Sequence, residues 1–331
     1  MLRHWLLERV SGEPFLERWR RAALKRKIIV LMYHEVLRDT EEIEAWTVVR
    51  EGDLWMQMEY LQRHFRVISL EEALRFMEDP FDTNEPLAVV TFDDGYAGNK
   101  RYLLPIVESL RIPVTVFVST AAVQDQNLYW FDRVIMALQP ERNGRNVLDL
   151  AGRGLGTYNF GASLSGERRW TAIDQLLSDL KALNPGAREA VVEDLLERWG
   201  PADGPRGRLC PLSVAEVAEM ARSPWVSIGA HSHCHSILVQ LDRERVRESI
   251  ETSKQLLEEW TDRPVDCFAY PNGDYDDTVI GAVREAGFKC GMTVLPRPWS
   301  ATDSLFAIPR IGVGRYDSFD VFRAKVSGLS F

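Results

Sequence analysis

The sequence predicts an α/β fold, a (β/α) barrel of about seven parallel strands, from three observations. Short apolar runs alternate with amphipathic helical patterns, which is typical of parallel β/α units. Polar, chemically reactive side chains follow directly after several of these apolar runs. The alternation is interrupted once, where helical patterns continue without strand-like runs. This interruption predicts a helical insertion between two barrel strands.

The individual elements are predicted from residue spacing. The predicted strands are 28–33, Leu87–Phe92, Val114–Val118, Val226–Ala230, 265–269, 289–294 and 306–311. Helical faces recur between them, for example at Leu54, Met58, Leu61 and Phe65. Ser69 and Ser213 each precede a glutamate three positions later, a spacing that predicts capping boxes. The helical insertion is predicted at about 124–211, with helices near 130–138, 170–183 and 187–199. The barrel then occupies 28–331.

Composition limits the classes of function. The chain has 331 residues, of which 45% are hydrophobic and 27% charged, which fits one large α/β domain or two smaller ones. Its net charge of -9 makes it a poor candidate for binding nucleic acid through phosphates. Four scattered cysteines without CxxC spacing predict free thiols in a reducing compartment.

Residues 1–27 mix Arg and Lys with Leu, Trp and Phe, a pattern that predicts an N-terminal helical extension. This helix either packs on the barrel or makes peripheral contact with an anionic membrane. Charged residues interrupt its apolar positions, so no secretory signal is predicted, and no window is apolar enough to span a bilayer. We therefore expect a cytoplasmic protein, with the inner face of the membrane as an alternative place.

The reactive residues all follow predicted strands, and the carboxyl ends of parallel strands form one face of a barrel. They are His34, the adjacent Asp93 and Asp94, the pair His231 and His235, and the turn Pro271-Asn272-Gly273. One carboxylate and two imidazoles make a metal site with open positions. The second carboxylate remains for proton transfer. This equipment predicts metal-assisted hydrolysis, in which a metal lowers the pKa of water from about 15.7 toward 7.

Two motifs carry a resemblance to a known family. Thr91-Phe92-Asp93-Asp94-Gly95-Tyr96 and His231-Ser232-His233-Cys234-His235 resemble the first and second motifs of the polysaccharide deacetylases, carbohydrate esterase family four with the NodB-homology fold. The resemblance covers most of 28–315 apart from the insertion. It implies a deformed (β/α) barrel that removes N- or O-acetyl groups from sugars.

The resemblance also implies roles for the motif residues. Asp93 would be the general base, and Asp94, His231 and His235 would bind the metal. This ligand set fits Zn²⁺ best, with Co²⁺, Ni²⁺, Mn²⁺ or Fe²⁺ as alternatives. His233, between the two histidine ligands, is interpreted as a surface imidazole rather than a ligand.

Phe268-Ala269-Tyr270-Pro271-Asn272-Gly273 resembles the third family motif, and it has Ala269 where many members carry an arginine that orients the base. The departure resembles the branch of exopolysaccharide deacetylases that reads Phe-Ala-Tyr-Pro. There the backbone N–H of Asn272 would stabilise the oxyanion, with Tyr270 and Pro271 beside it. A simple turn is the alternative. Arg310 either supplies a charge near the base or forms a surface ion pair.

The family's usual late histidine, the general acid, is missing, because no histidine follows His235. His34, after Tyr33 at the end of the first strand, is the candidate acid. This arrangement resembles that of the same branch, in which an early Tyr-His pair supplies the acid. A structural His34 bonded to the backbone is the alternative.

The expected function is metal-dependent removal of acetyl groups from N-acetylated sugars in glycan or cell-envelope polysaccharide biosynthesis, on nucleotide- or lipid-linked substrates. One alternative is a metal-dependent hydrolase of non-sugar amides or cyclic imides, and another is an inactive glycan-binding homologue. Aromatic side chains that either stack on sugar rings or pack in the core are Trp46, Tyr129, Trp130 and Phe131.

Overall fold

The structure is a computed structural model, and it describes residues 13–79, 85–139, 147–161, 164, 166–200 and 208–328. The strands in these residues are β1 (Lys27–Tyr33), β2 (Glu35–Leu37), β3 (Val48–Arg50), β4 (Arg66–Val67), β5 (Leu87–Phe92), β6 (Val114–Val118), β7 (Val147–Asp149), β8 (Thr157–Asn159), β9 (Val226–Ala230), β10 (Cys267–Ala269), β11 (Cys290–Met292), β12 (Trp299–Ser300) and β13 (Ile311–Gly312).

The α-helices in the same residues are α1 (Glu13–Ala23), α2 (Glu51–His64), α3 (Leu70–Glu78), α4 (Leu104–Leu110), α5 (Thr120–Asp125), α6 (Trp130–Ala137), α7 (Glu167–Lys181), α8 (Pro185–Trp199), α9 (Val214–Met220), α10 (Arg243–Thr261), α11 (Asp277–Glu285) and α12 (Phe319–Val326). A π-helical turn at Asn99–Leu103 leads into α4. Short 3₁₀ turns lie at Ala151–Arg153, Leu238–Gln240 and Pro271–Gly273.

A single sheet of nine strands, curled into a half-barrel, forms the centre of the protein. Its main path runs β11-β10-β9-β6-β5-β1-β12, with β4 beside β5 and β13 beside β1. Strands β5 and β6 are apolar, rich in β-branched residues and buried along their whole length, as expected for parallel strands covered on both faces. The predicted deformed barrel is therefore confirmed.

The sheet departs from the prediction at its last strands. β12 was not predicted, and it runs antiparallel to β1, so the sheet is not purely parallel. The predicted strand 306–311 is wrong in its bounds, because only Ile311–Gly312 pairs as a strand, parallel to β1. Ile308 forms only an isolated bridge to Met292, so the segment is not one continuous strand.

The segment 305–312 closes the half-barrel. Its first part bonds to β11, where Gly291 N donates to Leu305 O and Ile308 N donates to Gly291 O, each at 2.9 Å. Its last part, β13, pairs with β1 on the opposite edge of the sheet. Arg310 lies between these two attachments.

The predicted insertion contains the three predicted helices, observed as α6, α7 and α8, together with the β7–β8 hairpin. The expectation of a stretch without strands is wrong here, because strands of three residues are too short to produce a recognisable alternation. A hydrophobic core of its own joins the three helices to the loop before β3, through residues such as Ile43, Ile173 and Leu195. The exact domain bounds remain a prediction.

The structure shows one of the two predicted capping boxes and a helix within the predicted N-terminal extension. Ser213 and Glu216 form the predicted reciprocal capping box, whereas Ser69 only accepts from Glu72 N. Helix α1 lies within the predicted 1–27 extension, and its buried Arg20 donates to Tyr60 on α2 at 2.5 Å. Residues 1–12 of that extension lie outside the described residues. None of the helices that the structure describes has the length and apolarity needed to cross a bilayer.

Candidate active site

Strand register brings the first and second motifs to one end of the sheet. Tyr33 pairs with Phe92 at the ends of β1 and β5, and Asp93 N donates to Tyr33 O at 2.8 Å. His231 N donates to Val118 O at 3.0 Å, one step beyond the last pair of β6 and β9. The strand ladders therefore hold Asp93 of the first motif and His231 of the second in place, at the carboxyl ends of the strands.

The backbone turns sharply as it leaves these strands. Asp94, Ser232 and His235 have φ values of 73°, 62° and 52°, in the left-handed region that non-glycine residues seldom adopt. Gly95 has φ 72°, and a Cβ there would lie in tight contact with Val118, 3.1 Å from its Cγ1. Such strained positions cost of order 1–3 kcal/mol each and concentrate at functional sites. Here they turn the carboxylate of Asp94 toward the two imidazoles.

Three side chains converge on one point. Asp94 Oδ1 lies 3.2 Å from His231 Nε2 and 3.0 Å from His235 Nε2, and each of the three residues offers a metal ligand atom there. His231 Nδ1 lies 2.8 Å from the carbonyl oxygen of Ala269. A carbonyl only accepts, so Nδ1 donates to it and Nε2 faces Asp94, where a bound metal would replace a proton.

This arrangement fits a divalent cation. Despite its close neighbours, buried Asp94 Oδ1 has no aligned hydrogen bond among the described residues. A carboxylate oxygen and an imidazole nitrogen at this distance need a positive charge between them, either a proton or a metal ion. Ligands bonded to zinc at about 2.0–2.1 Å lie roughly 3.3 Å from one another, close to the separations here. One carboxylate and two imidazoles are donors that Zn²⁺ and other first-row divalent metals accept.

The insertion supports the metal-ligand loops. Tyr129, just before α6, donates its hydroxyl to the backbone oxygen of Asp94 at 2.6 Å. The His235 ring packs against both Tyr129 and Phe131, with ring centroids 5.0 and 5.1 Å away, and these two rings stack on each other. Of the two readings of Tyr129, core packing is therefore the correct one, because the residue is buried and its ring braces a proposed ligand.

Asp93 forms a two-pronged ion pair with Arg310. Arg310 Nη1 donates to Asp93 Oδ1 and Nη2 to Asp93 Oδ2, both at 2.7 Å. Nη1 also donates to Thr91 Oγ1 at 3.2 Å, and Nε donates to Thr293 O at 3.0 Å. Arg310 is completely buried, so the alternative of a surface ion pair is wrong. The arginine absent at position 269 has a counterpart that reaches the carboxylate from the barrel-closing segment.

Electrostatics keep both carboxylates ionised. Burial alone raises the pKa of Asp93, but the charge and hydrogen bonds of Arg310, together with the nearby imidazoles of His231 and His34, hold that pKa below its ordinary value. Burial likewise opposes ionisation of Asp94, and the imidazoles of His235 and His231 bring its pKa well below the ordinary value. Asp93 can therefore accept a proton, while Asp94 is an anionic ligand.

His34 faces the same cavity as Asp93 and Asp94. Its Nδ1 is buried without a hydrogen-bond partner among the described residues, so the alternative of a ring bonded to the backbone is wrong. Its ring makes an edge contact with Trp46, with centroids 5.7 Å apart. Burial lowers the pKa of His34, although Asp94 and Asp93 act to raise it. The free imidazole is therefore neutral near pH 7.

The third motif presents a free backbone donor. Asn272 has φ 60° and lines the cavity, and its N–H has no hydrogen bond among the described residues. Its side chain instead donates to Asp274 Oδ2 at 2.6 Å. Pro271 is buried, and Tyr270 donates to Phe306 O at 2.9 Å, so these two residues hold the turn in place.

Other residues of the second motif lie outside the metal group. His233 Nδ1 lies 2.8 Å from Thr120 Oγ1, which agrees with its interpretation as a non-ligand. Cys234 is exposed, and no disulfide joins any two of the four cysteines. Ser232 Oγ is buried without a partner among the described residues.

A cavity of about 460 Å³ opens over the metal group. Its walls are mainly apolar and include three of the predicted aromatic residues, Trp46, Trp130 and Phe131. Helix α7 adds a wall that the sequence analysis did not single out, formed by Trp170, Asp174, Leu177 and Lys181. Their spacing of four, three and four positions places them on one helical face, which is the signal that could have identified them.

Comparison with known proteins agrees with this geometry. The family profile described as polysaccharide deacetylase matches residues 81–152 and 166–291. A Bacillus subtilis protein named "Putative polysaccharide deacetylase YxkH" is 25% identical over 118 residues, which are 36% of this chain and 42% of that protein. The matched region thus spans less than half the length of that relative.

Two solved structures share the fold. The deacetylase PplD of Streptococcus pyogenes, in complex with acetate, has a TM-score of 0.59 at 16% identity, covering 91% of this chain and 98% of that one. IcaB from Ammonifex degensii has a TM-score of 0.55 at 18% identity, covering 92% and 98%. At such identities the likeness establishes the fold alone. The profile match extends over more than half of the residues and includes both metal-ligand motifs, so this chain belongs to the polysaccharide deacetylase family.

Proposed function

We propose that this protein is a metal-dependent hydrolase that removes acetyl groups from N-acetylated sugars of a glycan or cell-envelope polysaccharide during its synthesis. One observation carries the proposal: Asp94, His231 and His235 converge beside a second carboxylate, Asp93, that Arg310 holds ionised. The aromatic walls of the cavity suit the apolar C–H faces of pyranose rings. Membership of the polysaccharide deacetylase family supports deacetylation as the reaction class.

Each polar group has a role in amide hydrolysis. A divalent cation held by Asp94, His231 and His235 would supply Lewis-acid chemistry, polarising the acyl oxygen and acidifying water near neutral pH. Asp93 takes a proton from the attacking water, and Arg310 keeps its carboxylate oriented and anionic. The free N–H of Asn272 stabilises the negative charge on the former acetyl oxygen.

The leaving amine needs a proton, and His34 is the group proposed to deliver it. His34 is neutral in the free protein, so it must first gain the proton that Asp93 removes from water. The orphaned Nδ1 of His34 and its place in the cavity support this role. The pair Tyr33-His34 and Ala269 support our proposal that the chain belongs to the exopolysaccharide deacetylase branch.

We further propose that the metal is zinc and that the substrate is a nucleotide- or lipid-linked acetylated sugar. The protein would bind this substrate in the cytoplasm or at the inner face of the membrane. The ligand set supports zinc. The absence of a disulfide among the four cysteines favours a reducing compartment. The Arg- and Lys-rich segment 1–27 supports contact with an anionic surface.

The test is acetate release by purified protein, metal-loaded or chelated, from N-acetylated nucleotide sugars, lipid-linked sugars and short glycans, with a simple amide and a cyclic imide alongside. Metal-dependent release from sugars, lost in Asp93→Asn, is the expected result. Release only from the amide or imide would move the function to the non-sugar alternative. Glycan binding without metal or acetate release would support the inactive homologue.

A further inference from the structure

Helix α7 has one face in the core of the insertion and an adjacent face at the cavity. Ile173, Leu176 and Leu180 are buried in the hydrophobic core of the insertion. Trp170, Asp174 and Lys181 lie on the adjacent face and line the cavity above the metal group. Since the core face fixes the rotation of the helix, the residues on the cavity face are held in position.

Lys181 is the positively charged residue on this face, and the proposed chemistry gives it no role. It is half-buried, and neither a hydrogen bond nor an ion pair reaches its Nζ from any residue that the structure describes. Its backbone oxygen accepts from Gln240 Nε2 at 2.8 Å. Gln240 follows His235 by five positions, so this bond ties the end of α7 to the chain that carries the metal-ligand motif.

An unpaired ammonium in an apolar wall is costly unless something compensates it. Burial lowers the pKa of Lys181, while Asp174, Asp274 and Asp94 act on it from a distance and raise it. None of these carboxylates pairs with it directly. Because the neighbouring lining is apolar, with Leu177 and Ile237 among it, an anion entering the cavity would be attracted more strongly than in water.

The opposite charge lies at the other end of the same face. Asp174 precedes Lys181 by seven residues, which corresponds to about 10.5 Å along a helix. That separation is comparable to the length of a sugar with one substituent, and Trp170 and Leu177 provide apolar surface along the face. An anionic substituent would be attracted by Lys181 and repelled by Asp174, which orients the substrate along α7.

We infer that Lys181 binds an anionic substituent, a phosphate or a carboxylate, on the acetylated sugar that enters the cavity. This inference rests on the proposed function, because it names a feature of the substrate of that site. Two sources share this chemistry: a sugar phosphate, as in a nucleotide- or lipid-linked sugar, and an acidic sugar.

The test is calorimetric binding of three sugars without a cleavable acetyl group to the metal-loaded protein: glucosamine, glucosamine 1-phosphate and 2-amino-2-deoxyglucuronic acid. We expect an anionic sugar to bind about ten-fold more tightly than glucosamine, the effect of a charged hydrogen bond. Preference for the phosphate indicates a phosphorylated substrate, and preference for the carboxylate indicates an acidic sugar. Equal affinities, or no binding of any of the three, would overturn the inference.

Variants separate Lys181 from the metal, which also attracts anions. Lys181→Met should abolish the preference, and Lys181→Arg should keep it. Lys289→Met is the matched control, because Lys289 lies at the amino end of β11 and pairs with Asp266. A preference that survives in folded Lys181→Met would also overturn the inference. Since these ligands are not hydrolysed, a failure of acetate release would count against the proposed function alone.

Discussion

Arg310 and Asp93 form a completely buried, bidentate ion pair although 217 positions separate them in the sequence. Their geometry leaves both carboxylate oxygens occupied by guanidinium N–H groups at 2.7 Å. A buried pair of this kind adds little net stability compared with apolar residues, but removing one partner leaves an uncompensated charge. The pair is therefore a place where a single substitution affects both folding and the proposed base.

Arg310→Met should lower the free energy of unfolding by about 3–5 kcal/mol, because Asp93 would remain buried without its partner. It should also reduce acetate release, since the carboxylate loses its orientation. The matched control is Arg297→Met, which breaks a bidentate pair with partly exposed Asp303 and should cost about 1 kcal/mol or less. Urea unfolding of both variants checks this, and equal losses would contradict it.

His231→Ala and His235→Ala should each lose bound metal, because each removes one of three converging ligands. His233→Ala should retain it, since His233 contacts Thr120 instead. Elemental analysis of the purified variants measures one metal per chain or its loss. Full metal content in His235→Ala would remove that residue from the ligand set.

His34→Ala should keep the metal and slow amide hydrolysis more than hydrolysis of an activated acetate ester. An amine leaves only after protonation, whereas an activated phenolate leaves without it. Initial rates on an N-acetylated sugar and on 4-nitrophenyl acetate compare the two reactions. His64→Ala, on α2 away from the cavity, is the control. Equal losses on both substrates would mean that His34 is not the acid.

Gly98→Ala should destabilise the protein by at least about 2 kcal/mol, as expected for overpacking against rigid atoms. A Cβ at this position would lie 2.0 Å from Val36 O and 2.1 Å from Glu35 Oε1. Gly281→Ala is the matched control, because Gly281 lies inside α11 and an added Cβ would meet no packed neighbour within 4 Å. This substitution should stabilise the protein by about 0.5–1 kcal/mol. Thermal unfolding distinguishes the two. A neutral Gly98→Ala would mean that the β2 loop yields easily.

Glu35→Gln should flatten the dependence of stability on pH. Burial raises the pKa of Glu35 well above its ordinary value, although Val36 N donates to its carboxylate at 2.7 Å. Below the unfolded pKa of about 4.3 both states hold the proton. As pH rises toward the folded pKa, only the unfolded state releases it, so stability falls.

The measurement is a series of urea midpoints between about pH 5 and pH 8 for both proteins. The difference between Glu35→Gln and the unsubstituted protein should grow in favour of the variant as pH rises. Parallel curves would show that Glu35 releases its proton equally in both states.

The convergence of Asp94 with His231 and His235 was predictable because each motif is short and follows an apolar strand. The ends of β5 and β9 could therefore be located from local pattern alone, and parallel topology did the rest. Whether each residue acts as assigned stays a prediction for the variants above.

Arg310 and Lys181 could not be placed in the same way. Arg310 reaches Asp93 only because the segment before β13 crosses from one edge of the sheet to the other, and no local spacing records that path. Lys181 lies on a helix whose rotation depends on the core of the insertion. The β7–β8 hairpin was not predicted, because strands of three residues are too short to show an alternation of apolar and polar residues.

The closing segment 305–312 also sets the order in which the protein can mature during translation. A chain still attached to the ribosome at about residue 300 already contains every proposed metal ligand, because synthesis proceeds from the N-terminus. It lacks Arg310, so Asp93 would stand among those ligands without its counter-charge. A nascent barrel could thus acquire metal before its base is ready, and catalytic competence would arrive only with the final strand.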